Sequence, residues 1–304
     1  MELNDKVVND LINRYKEDID SHGYPDNISH LLYLIVPAFI VYYGLDNERK
    51  ILDTFKNVPI IIKDEQDKIL QASYTSIPYN NEGNIDTKKY IILSFYVNIS
   101  LLQLLDNLVH EYNHALNSMI DEIYYDDEVV RLRTGLCFNT YKRSNFEYVS
   151  KDDDYILEEI INTKQTEEVI NIINSFNNYN VEDSSISTTL YNIKTHIGDN
   201  YISDAYGLGS LLCRDLMNNR TFISTLANLR LKGVVNDLDS WFDNITGEEG
   251  SFNNLISLLL KSQKLEEELQ RSFFKRQKIE KIRSIYRDAM VIIDTFNNNS
   301  NYRG

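Results

Sequence analysis

The segment from Leu101 to about Ile120 constrains the fold more than any other part of the chain. Its apolar residues recur at helical spacing and fall on one broad face, which predicts a long amphipathic helix. The opposite side carries His110 and His114, with Glu111 between them in the pattern H-E-x-x-H. The sequence therefore predicts two imidazoles and a carboxylate presented by a single helix.

The H-E-x-x-H pattern has the spacing that a metal site on a helix requires. Residues four positions apart lie one turn apart on the same side, so His110 and His114 can converge on one cation. Neutral imidazole is a good ligand for zinc, which lowers the pKa of a bound water toward roughly 7. Glu111 would take the proton of that water and pass it to a leaving amine. The motif predicts His110 and His114 as metal ligands, one Zn²⁺ per chain as cofactor, and Glu111 as the catalytic residue.

The chain before this helix changes character near Val58. From Glu2 to about Lys56 apolar residues recur at helical spacing, which predicts three helices. The most apolar run, Leu31–Tyr43, contains Pro37 and is shorter than the roughly 20 residues that span a bilayer, so it is predicted to be a buried core helix. From Val58 onward, β-branched and aromatic runs alternate with turn residues and predict three strands.

The chain after the motif returns from strands to helices. The pattern predicts a β-hairpin between Val129 and Ser150, then a helix from Tyr155 to about Phe176, and almost wholly helical structure beyond Asn177. These patterns together predict an α+β fold. The domain prediction is a mixed core over residues 1–180 and a mainly α-helical region over residues 181–304, with a disordered tail from about residue 297.

Residues 58–176 resemble the zincin metallopeptidases, in which a helix bearing H-E-x-x-H packs beneath a small twisted β-sheet. The resemblance implies a zincin-like catalytic core within residues 1–180. It also implies that the edge strand of the sheet holds the substrate as an extended chain, and Tyr90–Val97 is the candidate for this edge.

The third zinc ligand decides the subclass of zincin. Metzincins carry Gly and His at the positions that Asn117 and Ile120 occupy here, so this subclass is rejected. Gluzincins take a Glu from a second helix downstream, and this resemblance implies Glu159, which follows His114 by 45 residues. Glu158 stands where the gluzincin pattern usually has Asn, and it remains the alternative third ligand.

The resemblance also implies residues that support the metal and the reaction. Thr163, one turn after Glu159, could hydrogen-bond a ligand histidine. Gluzincins usually supply a Tyr or His that steadies the oxyanion, and His196 is the candidate here, although an ordinary helical histidine accounts for it as well. Further candidates for this role are Arg133, Tyr141, Tyr191, Tyr201 and Tyr206.

Two other metal sites fail on the sequence. A di-iron carboxylate bundle needs a Glu three residues before a histidine on each of two helices, and none precedes His22, His30 or His196 in this way. Enzymes similar to peptide deformylase take a cysteine from an upstream strand, but the first cysteine here is Cys137. The zincin interpretation is therefore the one that the metal-binding residues favour.

Charge and cysteine content limit the partners. The 31 Lys and Arg residues face 46 Asp and Glu, so the net charge of −15 argues against nucleic acid as a partner. Two cysteines in 304 residues give no disulfide framework, and Met1–Asp20 lacks the features of a signal peptide. We expect a cytoplasmic protein without a transmembrane segment, although release by a signal-independent route would leave no mark in the sequence.

The last predicted helix, Ser262 to about Phe296, is locally basic and amphipathic. Packing on the body of the protein is the simpler interpretation of this pattern, and contact with a partner or an anionic surface is the alternative.

The residues together predict a zinc metallopeptidase that acts on a peptide or protein substrate. The alternative is a catalytically silent zincin-like protein with a binding or regulatory role. Glu111 favours the enzyme, since a silent protein has no chemical need for it.

Overall fold

The computed structural model describes residues 3–63, 72–94, 99–118, 123–202, 207–232, 238–270 and 275–301. These residues form a mixed α+β structure, which confirms the fold class at that level. The chain divides into two compact units, one comprising Met1–Met119 with Gln165–Ser203 and the other Ile120–Lys164 with Asp204–Gly304. The predicted domain division at residue 180 stays a prediction.

The first unit contains helices and one sheet. Its elements are α1 (Asp5–Arg14), α2 (Lys16–Asp20), α3 (Asp26–Tyr43), α4 (Glu48–Asn57), β1 (Ile60–Lys63), β2 (Ala72–Asn81), β3 (Asn84–Ser94), α5 (Leu101–Asn117), the second half of α6 (Tyr155–Phe176), and α7 (Ser184–Ile197).

The core of the first unit forms around α3. Its residues from Leu31 to Ile40 are buried, which confirms the predicted core helix, and Pro37 lies inside it. α5 buries its apolar face against α4 and against β2 of the sheet. Burial of these apolar side chains stabilises the unit because it removes hydrocarbon surface from water.

The three predicted strands form a three-stranded sheet in the order β1–β3–β2. β1 pairs with β3 in parallel, and β2 pairs with β3 in antiparallel orientation. The expectation that Tyr90–Val97 is an edge strand is wrong for its described part, because Ile91 is opposite Ile60 on one side and Tyr74 on the other. Residues 95–97 lie outside the described residues. β2 is therefore the edge strand that packs against α5.

The second unit contains a four-stranded sheet and most of the later helices. Its elements are β4 (Ile123–Tyr125), β5 (Val129–Thr134), β6 (Cys137–Lys142), β7 (Tyr148–Lys151), the first half of α6, α8 (Gly207–Met217), α9 (Arg220–Lys232), α10 (Leu238–Thr246), α11 (Ser251–Gln270) and α12 (Lys275–Asn301).

The sheet of the second unit has the strand order β4–β5–β6–β7, and every neighbouring pair is antiparallel. The prediction of a single hairpin was incomplete. Its predicted first strand consists of two strands, β5 and β6, which are joined by a turn between Thr134 and Cys137. Gly135 permits this turn with a φ of 59°, a backbone conformation that favours glycine.

The predicted helix from Ser262 to Phe296 is wrong as a single element. Its first part belongs to α11 and its last part to α12, while residues 271–274 lie outside the described residues. α11 and α12 pack against each other, with Leu259 and Ile293 fully buried in the core of this unit. The basic residues Lys281, Arg283 and Arg287 are exposed on α12, so the partner contact remains a prediction.

The expectation of a disordered tail from residue 297 is also wrong for its described part, since α12 continues to Asn301. Its polar side chains have specific partners. The Asn219 amide donates to Asn297 Oδ1 at 2.7 Å and to Ser300 Oγ at 2.8 Å, and Ser300 is buried. An asparagine-rich segment can remain helical when its amides are paired in this way.

No single helix in the described ranges is both long and apolar enough to cross a bilayer. The segments Asp26–Tyr43 and Leu45–Asn57 satisfy that criterion only when they are taken together, and they are bent by 118° relative to each other.

Candidate metal centre

α5 presents the H-E-x-x-H motif on a capped helix. The Ser100 hydroxyl oxygen accepts a hydrogen bond from the Gln103 amide, which satisfies one of the free N–H groups at the helix start. His114 is buried and His110 is partly exposed, and their ring centroids are 4.9 Å apart. The two imidazoles thus lie on the same side of the helix, as its geometry requires.

Glu159 of α6 completes a group of three metal-ligating side chains. One ligand atom from each of His110, His114 and Glu159 lies within 4.8 Å of the other two. A tetrahedral zinc with bonds of about 2.1 Å would hold its ligand atoms about 3.4 Å apart, so a small closure of these side chains would suffice. Two imidazole nitrogens and one carboxylate oxygen suit zinc. The group could therefore hold a metal ion.

A buried neutral network fixes α6 against α5 within the first unit. The Asn113 amide lies between the two helices and donates to Thr166 Oγ1 at 3.3 Å. The Tyr43 hydroxyl of α3 donates to Asn113 Oδ1 at 2.8 Å and lies 3.3 Å from Gln165 Oε1. Thr166 follows Glu159 by seven residues, or about two turns, on the same face of α6. The network therefore joins α5 to the second half of α6 within the first unit.

Glu158, the alternative third ligand, has different partners. It forms a fully buried ion pair with Arg230 of α9. The Leu136 amide donates to Glu158 Oε2 at 2.9 Å. A Cβ at Gly135 would lie 2.1 Å from this carboxylate, so only glycine leaves room for it. Glu158 is thus engaged by Arg230 and the Leu136 amide, and the group that could hold a metal contains Glu159.

Lys151 of β7 contacts the carboxylate of Glu159. Its Nζ lies 3.4 Å from Glu159 Oε1, and the side chain of Glu159 is 12% exposed. Burial acts to lower the pKa of Lys151, but the negative charge around it, including the carboxylates of Glu159 and Glu158, outweighs burial and raises that pKa. The lysine is therefore a charged partner of the third candidate ligand.

Glu111 is not a member of the ligand group and has a partner in the sheet. Its Oε2 accepts a hydrogen bond of 2.5 Å from the Tyr74 amide of β2, and the residue is 8% exposed. This amide holds one carboxylate oxygen of Glu111. The edge strand of the sheet is thereby connected to the candidate base.

Two other predicted residues have local partners. The Thr163 hydroxyl donates to the backbone carbonyl of Glu159 at 2.9 Å, so its single proton is used within α6. His196 is exposed on α7, and its Nδ1 lies 2.7 Å from the Asn192 carbonyl of the same helix. The structure does not include His196 in the group of metal-ligating side chains.

Four of the five further oxyanion candidates lie within the described residues. Tyr191 is exposed, Tyr201 donates to Asp106 at 2.8 Å, and Tyr206 lies outside the described residues. Arg133 is buried and donates to the carbonyls of Gly135 and Arg230 in the second unit. Tyr141 is also buried in this unit, where its ring contacts Tyr148 edge-on.

Sequence reasoning missed Arg230, Lys151 and Tyr74, which contact the three acidic residues of interest. Arg230 and Lys151 are single basic residues without a motif, and Tyr74 contributes its backbone. No signal in the sequence could have identified them, because each contact joins residues that are far apart along the chain or belong to different elements.

Comparison of this chain with protein-family models, with curated proteins and with solved structures finds no match.

Proposed function

We propose that this chain is a zinc-dependent metallopeptidase with a gluzincin-like core. The observation that carries the proposal is the convergence of His110, His114 and Glu159, which come from two helices. H-E-x-x-H is common to several metal-dependent hydrolases, and a Glu on a downstream helix is the third ligand of the gluzincin pattern. His110, His114 and Glu159 would hold the zinc.

The surroundings of the group support this assignment. The three-stranded sheet packs on α5 through β2, and this packing supports the proposal because a small sheet also packs on the motif helix in the zincin metallopeptidases. Arg230 engages Glu158, whereas the adjacent Glu159 is the acid whose carboxylate groups with the two imidazoles. A zinc bound by three protein ligands keeps a position for water or substrate, as catalytic zinc sites do.

Glu111 would perform the proton transfers of the reaction. Bound zinc would supply Lewis acidity to the attacking water and to the substrate carbonyl. Glu111 would accept a proton from the water and deliver it to the nitrogen of the leaving amine as the peptide bond breaks. The Tyr74 amide holds Oε2 of Glu111, which orients the carboxylate and leaves its other oxygen for this transfer.

The substrate would be an extended peptide segment that adds to β2. β2 is one of the two edge strands of its sheet in the described residues and packs against α5, so it replaces Tyr90–Val97 as the candidate substrate strand. An added peptide strand would gain main-chain hydrogen bonds with little dependence on sequence.

Metal content tests the first half of the proposal. Elemental analysis of the purified, tag-free wild type should give about one zinc per chain, and His114→Ala should give none. His196→Ala is the matched control, since it removes an exposed histidine outside the group and should keep the zinc. Absence of zinc from the wild type after incubation with Zn²⁺ would refute the proposal.

Activity tests the second half. We expect the zinc-loaded wild type to cleave members of a mixed peptide library, as detected by mass spectrometry. Glu111→Gln should retain zinc and lose at least 100-fold in rate, because the general base is gone. Glu168→Gln on α6 is the control and should keep full activity. Zinc binding without cleavage of any peptide would instead favour the silent zincin-like protein.

A further inference from the structure

The carboxylate of Glu159 is largely removed from solvent and has a basic side chain beside it. The residue is 9% exposed, and a buried carboxylate is destabilised unless it is paired or hydrogen-bonded. A cation beside Glu159 therefore stabilises the ionised form of its carboxylate.

Lys151 supplies this positive charge, and contacts with neighbouring residues determine its position. It lies on β7, where it is opposite Asn139 of β6, so the sheet determines the position of its backbone. Its ammonium lies 5.3 Å from the centre of the Tyr155 ring, a distance that allows a cation–π contact. Tyr155 precedes Glu159 by one helical turn on α6, so both contacts of the ammonium lie on one face of this helix.

Glu158 and Glu159 form ion pairs with different kinds of basic side chain. Arg230 presents a guanidinium to Glu158, and neither side chain is exposed to solvent. Lys151 presents an ammonium to Glu159 at 3.4 Å, with 26% of the lysine side chain exposed. An ammonium is a compact point charge, whereas a guanidinium presents a planar set of donors.

We propose that Lys151 is a positioning residue that holds the Glu159 carboxylate toward His110 and His114, ready to bind a metal. This inference rests on the proposed zinc site and deepens it. Lys151 acts through Glu159 and does not itself ligate the metal. Partners of this kind behind a ligand commonly affect metal affinity by about 10- to 100-fold.

Electrostatic repulsion between the Lys151 ammonium and a bound metal ion affects zinc affinity in the opposite direction from positioning. The direction in which zinc affinity changes when Lys151 is removed therefore distinguishes the two effects. A positive charge so close to a divalent cation disfavours binding, so removal of Lys151 would strengthen binding if repulsion dominated. If positioning dominates, removal of Lys151 weakens binding. General damage to the fold would weaken binding too, and rescue by arginine separates the two, since arginine restores only the charge and its hydrogen bonds.

The test is a competition titration of Zn²⁺ against a chromophoric chelator, with wild type, Lys151→Met, Lys151→Gln and Lys151→Arg. We expect Lys151→Met to weaken zinc binding about 10- to 100-fold and Lys151→Arg to stay within about threefold of the wild type. Lys151→Gln keeps a hydrogen-bond donor without the charge and should lie between them, which also provides a second variant if Lys151→Met does not fold.

Lys142→Met is the matched control. Lys142 lies in the same sheet on β6, and its ion pair with Glu147 is largely exposed, so its removal changes the net charge equally without contact to Glu159. We expect unchanged zinc affinity. Lys151→Met binding zinc as tightly as the wild type, or more tightly, would overturn the positioning role while leaving the proposed function intact. A wild type that binds no zinc would overturn both.

Discussion

The two units bury polar side chains in different ways. In the first unit, Asn113, Gln165 and Thr166 form a buried network of neutral side chains with the Tyr43 hydroxyl. In the second unit, Arg230 and Glu158 form a fully buried ion pair. The neutral network joins α5 to the second half of α6, whereas the ion pair joins Glu158 to Arg230 of α9. The difference shows that buried amides and hydroxyls can be satisfied by one another, whereas a buried carboxylate takes a cation.

The largest expected effect comes from breaking the ion pair of the second unit. Arg230→Met leaves Glu158 as a buried charge without its cation, so we expect the free energy of unfolding to fall by about 3–5 kcal/mol. Urea denaturation followed by circular dichroism would measure this change. A loss below about 1 kcal/mol would contradict the buried ion pair.

Two further variants sharpen this result. Adding Glu158→Leu to Arg230→Met should recover part of the lost stability, because it removes the uncompensated charge. Arg283→Met removes one partner of the Arg283–Glu280 pair on α12, where both side chains are exposed, and should leave the stability unchanged.

A smaller effect should follow from a change in the neutral network of the first unit. Tyr43→Phe removes only the hydroxyl that donates to Asn113 Oδ1, an atom of a fully buried residue. Leaving this acceptor with one donor fewer should cost about 1–3 kcal/mol of unfolding free energy. Tyr191→Phe is the control, since Tyr191 is exposed. Equal stabilities of the two variants would show that the network does not hold α6 in place.

The smallest expected effect is at a partly exposed ion pair of the first unit. Asp183 caps α7 by accepting hydrogen bonds from the Ser185 and Ile186 amides, and it is paired with Lys16. Its contacts with the Lys16 ammonium, the Ser185 hydroxyl and these amides hold the pKa of Asp183 well below its usual value of 3.8. Asp183→Ala should therefore cost about 1 kcal/mol at pH 7.

The cost of Asp183→Ala should depend on pH in a defined direction. The unfolded chain takes up a proton at Asp183 near pH 3.8, whereas the folded protein does so only at lower pH. The stabilisation by ionised Asp183 is therefore complete above about pH 5 and decreases as the pH falls below this range through the native pKa. Unfolding curves from pH 7 to pH 2 would measure the trend, and a constant difference between wild type and variant would contradict it.

Local sequence patterns were sufficient to predict most of the helices and strands. α6 has the predicted bounds, Tyr155–Phe176, because helical periodicity and a run of three aspartates before it are local signals. Ser100 is a preferred N-cap residue, and α5 begins at the next residue, Leu101. The three strands before α5 were recognisable from their β-branched residues.

Features that depend on long-range pairing could not be predicted in this way. The central position of β3 follows from its pairing with β1, and no property of Tyr90–Ser94 alone distinguishes a central strand from an edge strand. The sequence predicted a single helix in place of α11 and α12, because apolar residues continue at helical spacing across the stretch between them.

For the candidate site, the sequence by itself determined that His110, Glu111 and His114 share one helix and that both imidazoles lie on one side. This follows from helical geometry, which is local. Only the tertiary structure distinguishes the surroundings of Glu158 from those of Glu159, since successive residues of a helix point about 100° apart and either could have faced the histidines. Arg230, 72 residues from Glu158, engages that carboxylate and leaves Glu159 with His110 and His114. A contact between residues so distant in sequence arises only when the chain folds.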